Sequence, residues 1–304
     1  MNIFVANKGD DTIARIKNVN NKKFIKLVPN ENNFLRNSKS QEPFVGPHRL
    51  LFNKECNKLY SLNVFDDSIS IIDLNDFKLI NTFYAGSCPN DGFILNNHIF
   101  ITNGDADCVS IFDVECGKIS EQIKVGGQPQ EILYNKRYDR IFVSNMNSDS
   151  ITFINPCDFN TEKDLIVDSR PFGMCFSDDE RYLFITNTYL ETGLDGTITI
   201  YDVLEDKVLN KIKCGKLPTS IAFCKDYLFV INSCSNTLMK INLKTLQYDE
   251  LFCGYMPSYI SLYENYAFIS NAGENKLLIV NIDKLSIEKS IEVGKEPDGL
   301  ILEA

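Results

Sequence analysis

The chain has 304 residues with 31 basic and 41 acidic side chains, a net charge of -10. That balance argues against nucleic acid, whose phosphates select a basic footprint, and no apolar run reaches the roughly 18 residues of a membrane-crossing helix. The composition, 44% hydrophobic and 24% charged, is globular rather than disordered. Met1 to Lys8 lacks the basic start and apolar stretch of an export signal, so a cytoplasmic protein is expected.

The first predicted strand is Ile3-Phe4-Val5-Ala6-Asn7, an apolar pentapeptide ending in Asn. It returns as Leu59 to Asn63, Ile99 to Asn103, Ile141 to Asn145, Leu183 to Asn187, Leu228 to Asn232 and Ala267 to Asn271. Successive Asn positions lie 56, 40, 42, 42, 45 and 39 residues apart, a sevenfold repeat. Prolines run in phase at 47, 89, 129, 171, 218, 257 and 297, and five of them close a Gly-x-x-Pro turn preceded by Ala85, Val125, Cys214, Cys253 or Val293. An Asp or Asn falls ten residues past the repeat Asn at Asp73, Asp113, Asn155, Asn242 and Asn281, after alternating stretches such as Ser68-Ile69-Ser70-Ile71-Ile72. Alternation bounded by turn residues reads as half-buried strand.

Each repeat therefore spells four antiparallel strands: one after the proline, the pentapeptide, the alternating stretch and a fourth running into the next turn. Four strands in roughly 40 residues is the period of a β-propeller blade. From proline to following Asn the counts are 16, 14, 16, 16, 14 and 14. Wrapping from Pro297 through the end of the chain to Asn7 gives 14 again. The expectation is an all-β, seven-bladed propeller over residues 1–304, one domain, closed by a last strand that joins the first three (a 1+3 closure).

These residues resemble the YVTN-type β-propeller repeat, in Ile-Phe-Val-Ser-Asn, Leu-Phe-Ile-Thr-Asn, Ser-Ile-Ser-Ile-Ile-Asp and Val-Gly-x-x-Pro. The family is also similar to surface-layer and lactonase-like propellers. The resemblance implies a binding or scaffold protein and leaves the activity open. The absence of Trp separates the chain from propellers built on a Trp-Asp dipeptide.

Two departures interrupt the repeat. From Asn7 to Pro47 the count is 40 where 25 or 26 is usual, placing an insertion within residues 18–43 that reads as polar loop with an apolar island at Phe24, Ile25 and Leu27. The loop 188–196 is five residues longer than its siblings. Both are expected on the face where the post-proline strands begin, the entry face.

The residues after each proline should ring the mouth of the central channel. They are His48, Asn90, Gln130, Phe172, Thr219, Ser258 and Asp298, followed by Arg49, Asp91, Glu131, Gly173, Ser220, Tyr259 and Gly299. A concave site with convergent polar groups is a binding site by default. The expected contacts for a protein, peptide or small molecule are His48, Arg49, Asn90, Asp91, Gln130, Glu131, Thr219, Ser258, Tyr259 and Asp298. Acidic loops at Asp10-Asp11, Asp66-Asp67, Asp105, Asp107 and Asp149 should make this face negative and favour cationic ligands.

Chemistry is less marked. His48 with Asp91 or Glu131 is the minimum for proton transfer, and Cys88 beside the mouth would allow a Cys–His pair. His98 lies on the opposite face. No two of the ten cysteines are three residues apart, and no segment fits a calcium loop, so neither a metal nor a cofactor is expected. Cys214 and Cys253 occupy a Val/Ala column and read as core, whereas Cys56, Cys116 and Cys157 fall in turns. The leading reading is a binding platform on the entry face. The alternatives are a lactonase- or lyase-like enzyme using His48 and nearby acids, and an envelope or surface-layer component.

Overall fold

The seven repeats fold as seven separate four-stranded antiparallel sheets, because each short strand pairs with its neighbour in sequence and both faces of every sheet are apolar enough to pack on the next. The computed structural model describes residues 1–18, 21–29, 45–189 and 193–303. Blades 2 to 7 comprise residues 47–84, 89–124, 129–166, 171–213, 218–252 and 257–292. Blade 1 combines the strands Asn2–Asn7, Thr12–Asn18 and Asn21–Lys26 with Pro297–Glu303. The expected closure is present. Ile3 pairs with Leu302, Phe4 with Ile301 and Val5 with Leu300, which removes two open sheet edges. Among the described residues no helix is long and apolar enough to cross a membrane.

The core lies between blades rather than within one centre. Phe4 and Ile13 of blade 1 pack with Leu50, Leu59 and Ile72 of blade 2, and Phe100 and Val109 of blade 3 with Ile132 and Ile141 of blade 4. The repeat Asn is fully buried in every blade. Its amide ties the second strand to hydroxyls of the third, as Asn63 Nδ2 donates to Ser68 and Ser70 Oγ, both at 2.9 Å. The turn glycine lies flat on this Asn: a Cβ on Gly126 would stand 2.7 Å from Asn145 Cγ, and one on Gly294 2.6 Å from Asn7 Cγ. The second pair bridges the closure and reproduces the first.

Blades are also clasped to one another. The residue before every ring proline has φ between 48° and 63°, and only Gly46 among them is glycine. A side chain in that left-handed region costs about 1–2 kcal/mol. At six of the seven prolines the amide it presents is taken up by an Asp or Asn of the preceding blade. Cys88 N donates to Asp67 Oδ1 at 2.8 Å, Gln128 N to Asp107 at 2.8 Å, Arg170 N to Asp149 at 2.8 Å and Glu296 N to Asn275 at 2.9 Å. Asp11 takes both Val45 N and Gly46 N.

The apolar island belongs to a strand, not a loop. Phe24 and Ile25 sit in Asn21–Lys26, paired with Thr12–Asn18 as the outer strand of blade 1, and Leu27 is buried beyond it. The extra residues of that repeat fall at 30–44, outside the described residues. So do residues 190–192 of the long loop in blade 5.

Candidate functional site

The inner strands start on the entry face with a bulge, since pairing slips between the proline and the second or third residue in blades 2 to 7. A bulge leaves an amide without its ladder partner, and in blades 4, 5 and 7 a side chain of the preceding blade supplies it. Asp91 Oδ2 accepts from Ile132 N at 3.1 Å, Ser220 Oγ from Ile260 N at 3.3 Å, and Glu131 Oε2 from Met174 N. The first ring does similar work through donors. Asn90 Nδ2 donates to Pro129 O at 2.8 Å, Thr219 Oγ1 to Ser258 O at 3.2 Å and Ser258 Oγ to Pro297 O at 2.9 Å. Much of the polarity at the axis thus joins blades. The third column packs as expected, with Leu50, Ile132, Met174, Ile221, Ile260 and Leu300 all buried.

Two glycines interrupt the second ring for a steric reason. A Cβ on Gly299 would lie 2.5 Å from His48 O, and one on Gly173 2.8 Å from Thr219 O. Beside Gly299 projects Arg49. Its guanidinium stacks 4.3 Å over the Tyr259 ring, with Nε 3.0 Å from Asp91 Oδ1 and Nη2 3.9 Å from Glu131 Oε1. The Asp91 contact is an ion pair out of hydrogen-bonding line, and Nη1 is buried with no hydrogen-bond partner among the described residues. Burial works against this charge, yet Asp91, Tyr259 and Glu131 hold Arg49 firmly protonated. Burial, then the Asp91 charge, pushes the Glu131 carboxyl up to about 8. Asp91 is also raised by burial, with Arg49 pulling the other way.

A second ion cluster lies across the closure. Asp298 Oδ2 is 2.8 Å from His48 Nδ1 and 3.0 Å from Lys8 Nζ. Although burial opposes it, His48, Lys8 and Arg49 hold the Asp298 carboxyl far below the usual range. Asp298 raises the Lys8 ammonium in turn. These groups open onto a cavity of about 230 Å³, walled by Phe172, Leu217, Met256 and Tyr259 and floored by Thr219, Ser233 and Ser258.

Of the ten predicted contacts, the structure brings His48, Arg49, Thr219, Ser258, Tyr259 and Asp298 to this one cavity. Asn90, Asp91, Gln130 and Glu131 do not line it. Gln130 Nε2 reaches back to Gln128 O at 3.3 Å, and the other three serve the neighbouring blade or Arg49. The carboxylate partner of His48 is Asp298 rather than Asp91 or Glu131. A reactive Cys–His pair is not formed. Cys88 Sγ faces Asn90 Oδ1 at 3.5 Å, and burial with Asp105 and Asp67 nearby pushes its thiol up to about 11.

Sequence reasoning missed Lys8 and Ser233. Both follow a repeat Asn directly, a column as regular as the post-proline one. The cavity charge also differs from expectation, with Lys8 and Arg49 against Asp298 at its wall. The loop carboxylates of Asp11, Asp67, Asp107 and Asp149 are turned to clasp amides instead. Among the described residues no group of three His, Cys, Asp or Glu side chains could hold a metal ion.

No family model matches the chain, and no curated protein matches it in sequence. Solved structures are similar in fold. A functionally unknown protein from Desulfotomaculum acetoxidans superposes with a TM-score of 0.76 at 13% identity, over 99% of this chain and 98% of that one. Hydrazine synthase of Kuenenia stuttgartiensis gives 0.77 at 13% identity over 86% and 91%. Streptogramin B lyase gives 0.71 at 15% over 86% and 88%. At such low identity these likenesses establish the seven-bladed propeller fold and nothing narrower.

Proposed function

We propose that the protein is a binding platform whose entry-face cavity holds a small amphipathic ligand. The observation that carries this reading is the cavity itself. An apolar wall of Phe172, Leu217, Met256 and Tyr259 faces fixed donors at Lys8, His48 and Arg49, the combination that binds small molecules in concave sites. A volume of about 230 Å³ suits a ligand, or one side chain of a partner, with an acceptor group at the Lys8–His48 end. In this reading residues 1–304 act as one propeller domain, placed in the cytoplasm, and the resemblance to YVTN-type repeats is one of architecture. Native mass spectrometry of protein purified gently from its own cells tests it. A bound species should appear and be lost in both His48→Ala and Phe172→Ala. A ligand-free protein, or a ligand that survives both substitutions, overturns the proposal.

One observation favours an enzyme of the lyase or lactonase kind as a second reading. His48 Nδ1 is held by Asp298, and no hydrogen bond occupies Nε2 among the described residues, the arrangement of an oriented general base. A streptogramin B lyase shares the fold. If the cavity catalyses, Asp298→Asn should lower turnover by about 100-fold or more while leaving ligand affinity nearly unchanged.

A further inference from the structure

Every blade ends in an outer strand with one side unpaired. Such an edge invites pairing with another chain unless lysines or bulges blunt it. The outer strands Asn21–Lys26, Lys78–Tyr84, Lys118–Lys124, Thr161–Ile166, Lys207–Lys213 and Ser286–Glu292 have both devices. Each contains at least one Lys, and the pairing of each with its inner neighbour slips register once. The outer strand of blade 6, Tyr248–Phe252, has neither. It reads Tyr-Asp-Glu-Leu-Phe with no basic residue, and its register against Thr237–Asn242 is unbroken from Tyr248 opposite Ile241 to Phe252 opposite Thr237. Five residues give about 17 Å of strand, enough for a short ladder.

The same strand presents side chains suited to recognition. Tyr248 is 59% exposed and Phe252 57%, one at each end, and aromatic side chains are enriched at interfaces. Phe252 packs edge-on against exposed Tyr255, ring centres 6.0 Å apart. Between the two aromatics stand Asp249 and Glu250, both exposed and neither in an ion pair among the described residues. The segments outside the described residues are attached elsewhere. Residues 30–44 join blade 1 to blade 2, and 190–192 follow Tyr189, whose hydroxyl donates to Asp168 in the turn between blades 4 and 5.

The two acids decide the occupant. A second copy pairing along the same edge would set Glu250 against Glu250, or against Asp249 in the neighbouring register, and like charges directly opposite are destabilising. Lys or Arg at those two places would meet opposite charges across the ladder instead. We infer that the outer edge of blade 6 docks an extended segment of a partner polypeptide, with adjacent basic residues between apolar ones, as a fifth strand. The site is independent of the entry-face cavity.

The test titrates the acetylated, amidated peptide Thr-Val-Thr-Lys-Lys-Val-Thr into isotope-labelled full-length protein and follows backbone amides by NMR. Saturable shifts should centre on residues 248–252, with dissociation on the order of millimolar for so flexible a ligand. Replacing both lysines of the peptide by Glu should weaken binding at least tenfold, and N-methylating its backbone should abolish it. Glu250→Lys, at an exposed position opposite Met239, should weaken the basic peptide about threefold or more and strengthen the Glu peptide by a similar factor. Absence of saturable binding, shifts centred on other residues, or equal binding of the Lys, Glu and N-methylated peptides overturns the assignment. So does dimerisation of the free protein that Glu250→Lys abolishes, which would make a second copy the occupant.

Discussion

Truncation after Glu296 removes the strand that closes the ring. Leu300 is 2% exposed, Ile301 is half-buried against the core between blades 1 and 2, and Leu302 is half-buried against that between blades 7 and 1. A fully buried side chain of this size contributes about 1.5–3 kcal/mol and a half-buried one about half that, so the strand supplies about 3–6 kcal/mol from apolar burial alone. Its loss also uncovers the edge of Asn2–Asn7 and strips Lys8 and His48 of Asp298. Domains are stable by about 5–15 kcal/mol, so the truncation consumes about a fifth of the total or more. At about 2 °C per kcal/mol for a chain of this size, the thermal midpoint should fall by about 6–12 °C. Circular dichroism melting reads the shift, and size-exclusion chromatography reads association through the open edge. A monomeric truncation that melts with the full-length protein would refute the closure as a source of stability.

The axial charges set a pH dependence. With its carboxyl pushed up to about 8 by burial and Asp91, Glu131 binds a proton in the folded state through a window, from about pH 4 to pH 8, where the unfolded chain has released it. Wild-type stability should therefore fall as pH rises through that window, and Glu131→Gln should flatten the trend in urea midpoints at pH 5 and pH 8.5. Asp298 has the opposite sign, stabilising above about pH 4 and losing its contribution as pH falls further. Asp298→Asn should cost about 1–3 kcal/mol at pH 7, less than a fully buried pair because Lys8 and His48 side chains are 29% and 21% exposed. Gly126→Ala drives a Cβ into Asn145 and should cost about 1–3 kcal/mol. Gly193→Ala, at positive φ but with nothing within 4 Å, should cost only about 1 kcal/mol. A thiol reagent should label Cys56, Cys116, Cys157 and Cys234 quickly in the native protein and spare Cys108, Cys214 and Cys253, as mass spectrometry of digests would show.

The fold was legible because its signals are periodic. An apolar pentapeptide ending in a buried Asn and a proline at each inner strand recur around the ring, with a turn glycine lying on that Asn in most blades. The closure was legible for the same reason, as a count. Three N-terminal strands were expected in blade 1, but the outer one was not located, because an edge strand needs one apolar face only and Lys22-Lys23-Phe24-Ile25-Lys26 reads as polar loop beside a long insertion. At the mouth, sequence placed the right column but could not tell ligand-facing from blade-joining side chains. Asn90 and Ser258 look alike on paper and differ only in whether the neighbouring carbonyl or the cavity takes them, and Ser258 serves both. The pairing of His48 with Asp298 was hidden because it spans 250 residues across the closure. The acidic loops read as a charged surface because the amides that consume them lie about twenty residues ahead.

Every clasp runs in one sense around the ring: the acceptor side chain always comes earlier in the chain than the amide it receives. A protein emerging from the ribosome thus finds nearly every new inner strand met by a seat already made. Blade 1 alone must wait. Its edge at Asn2–Asn7 stays unsealed until Pro297–Glu303 arrives, an interval of about 15–60 s at ordinary elongation rates. For that time the nascent chain carries an unpaired strand edge, a ledge open to pairing with another chain.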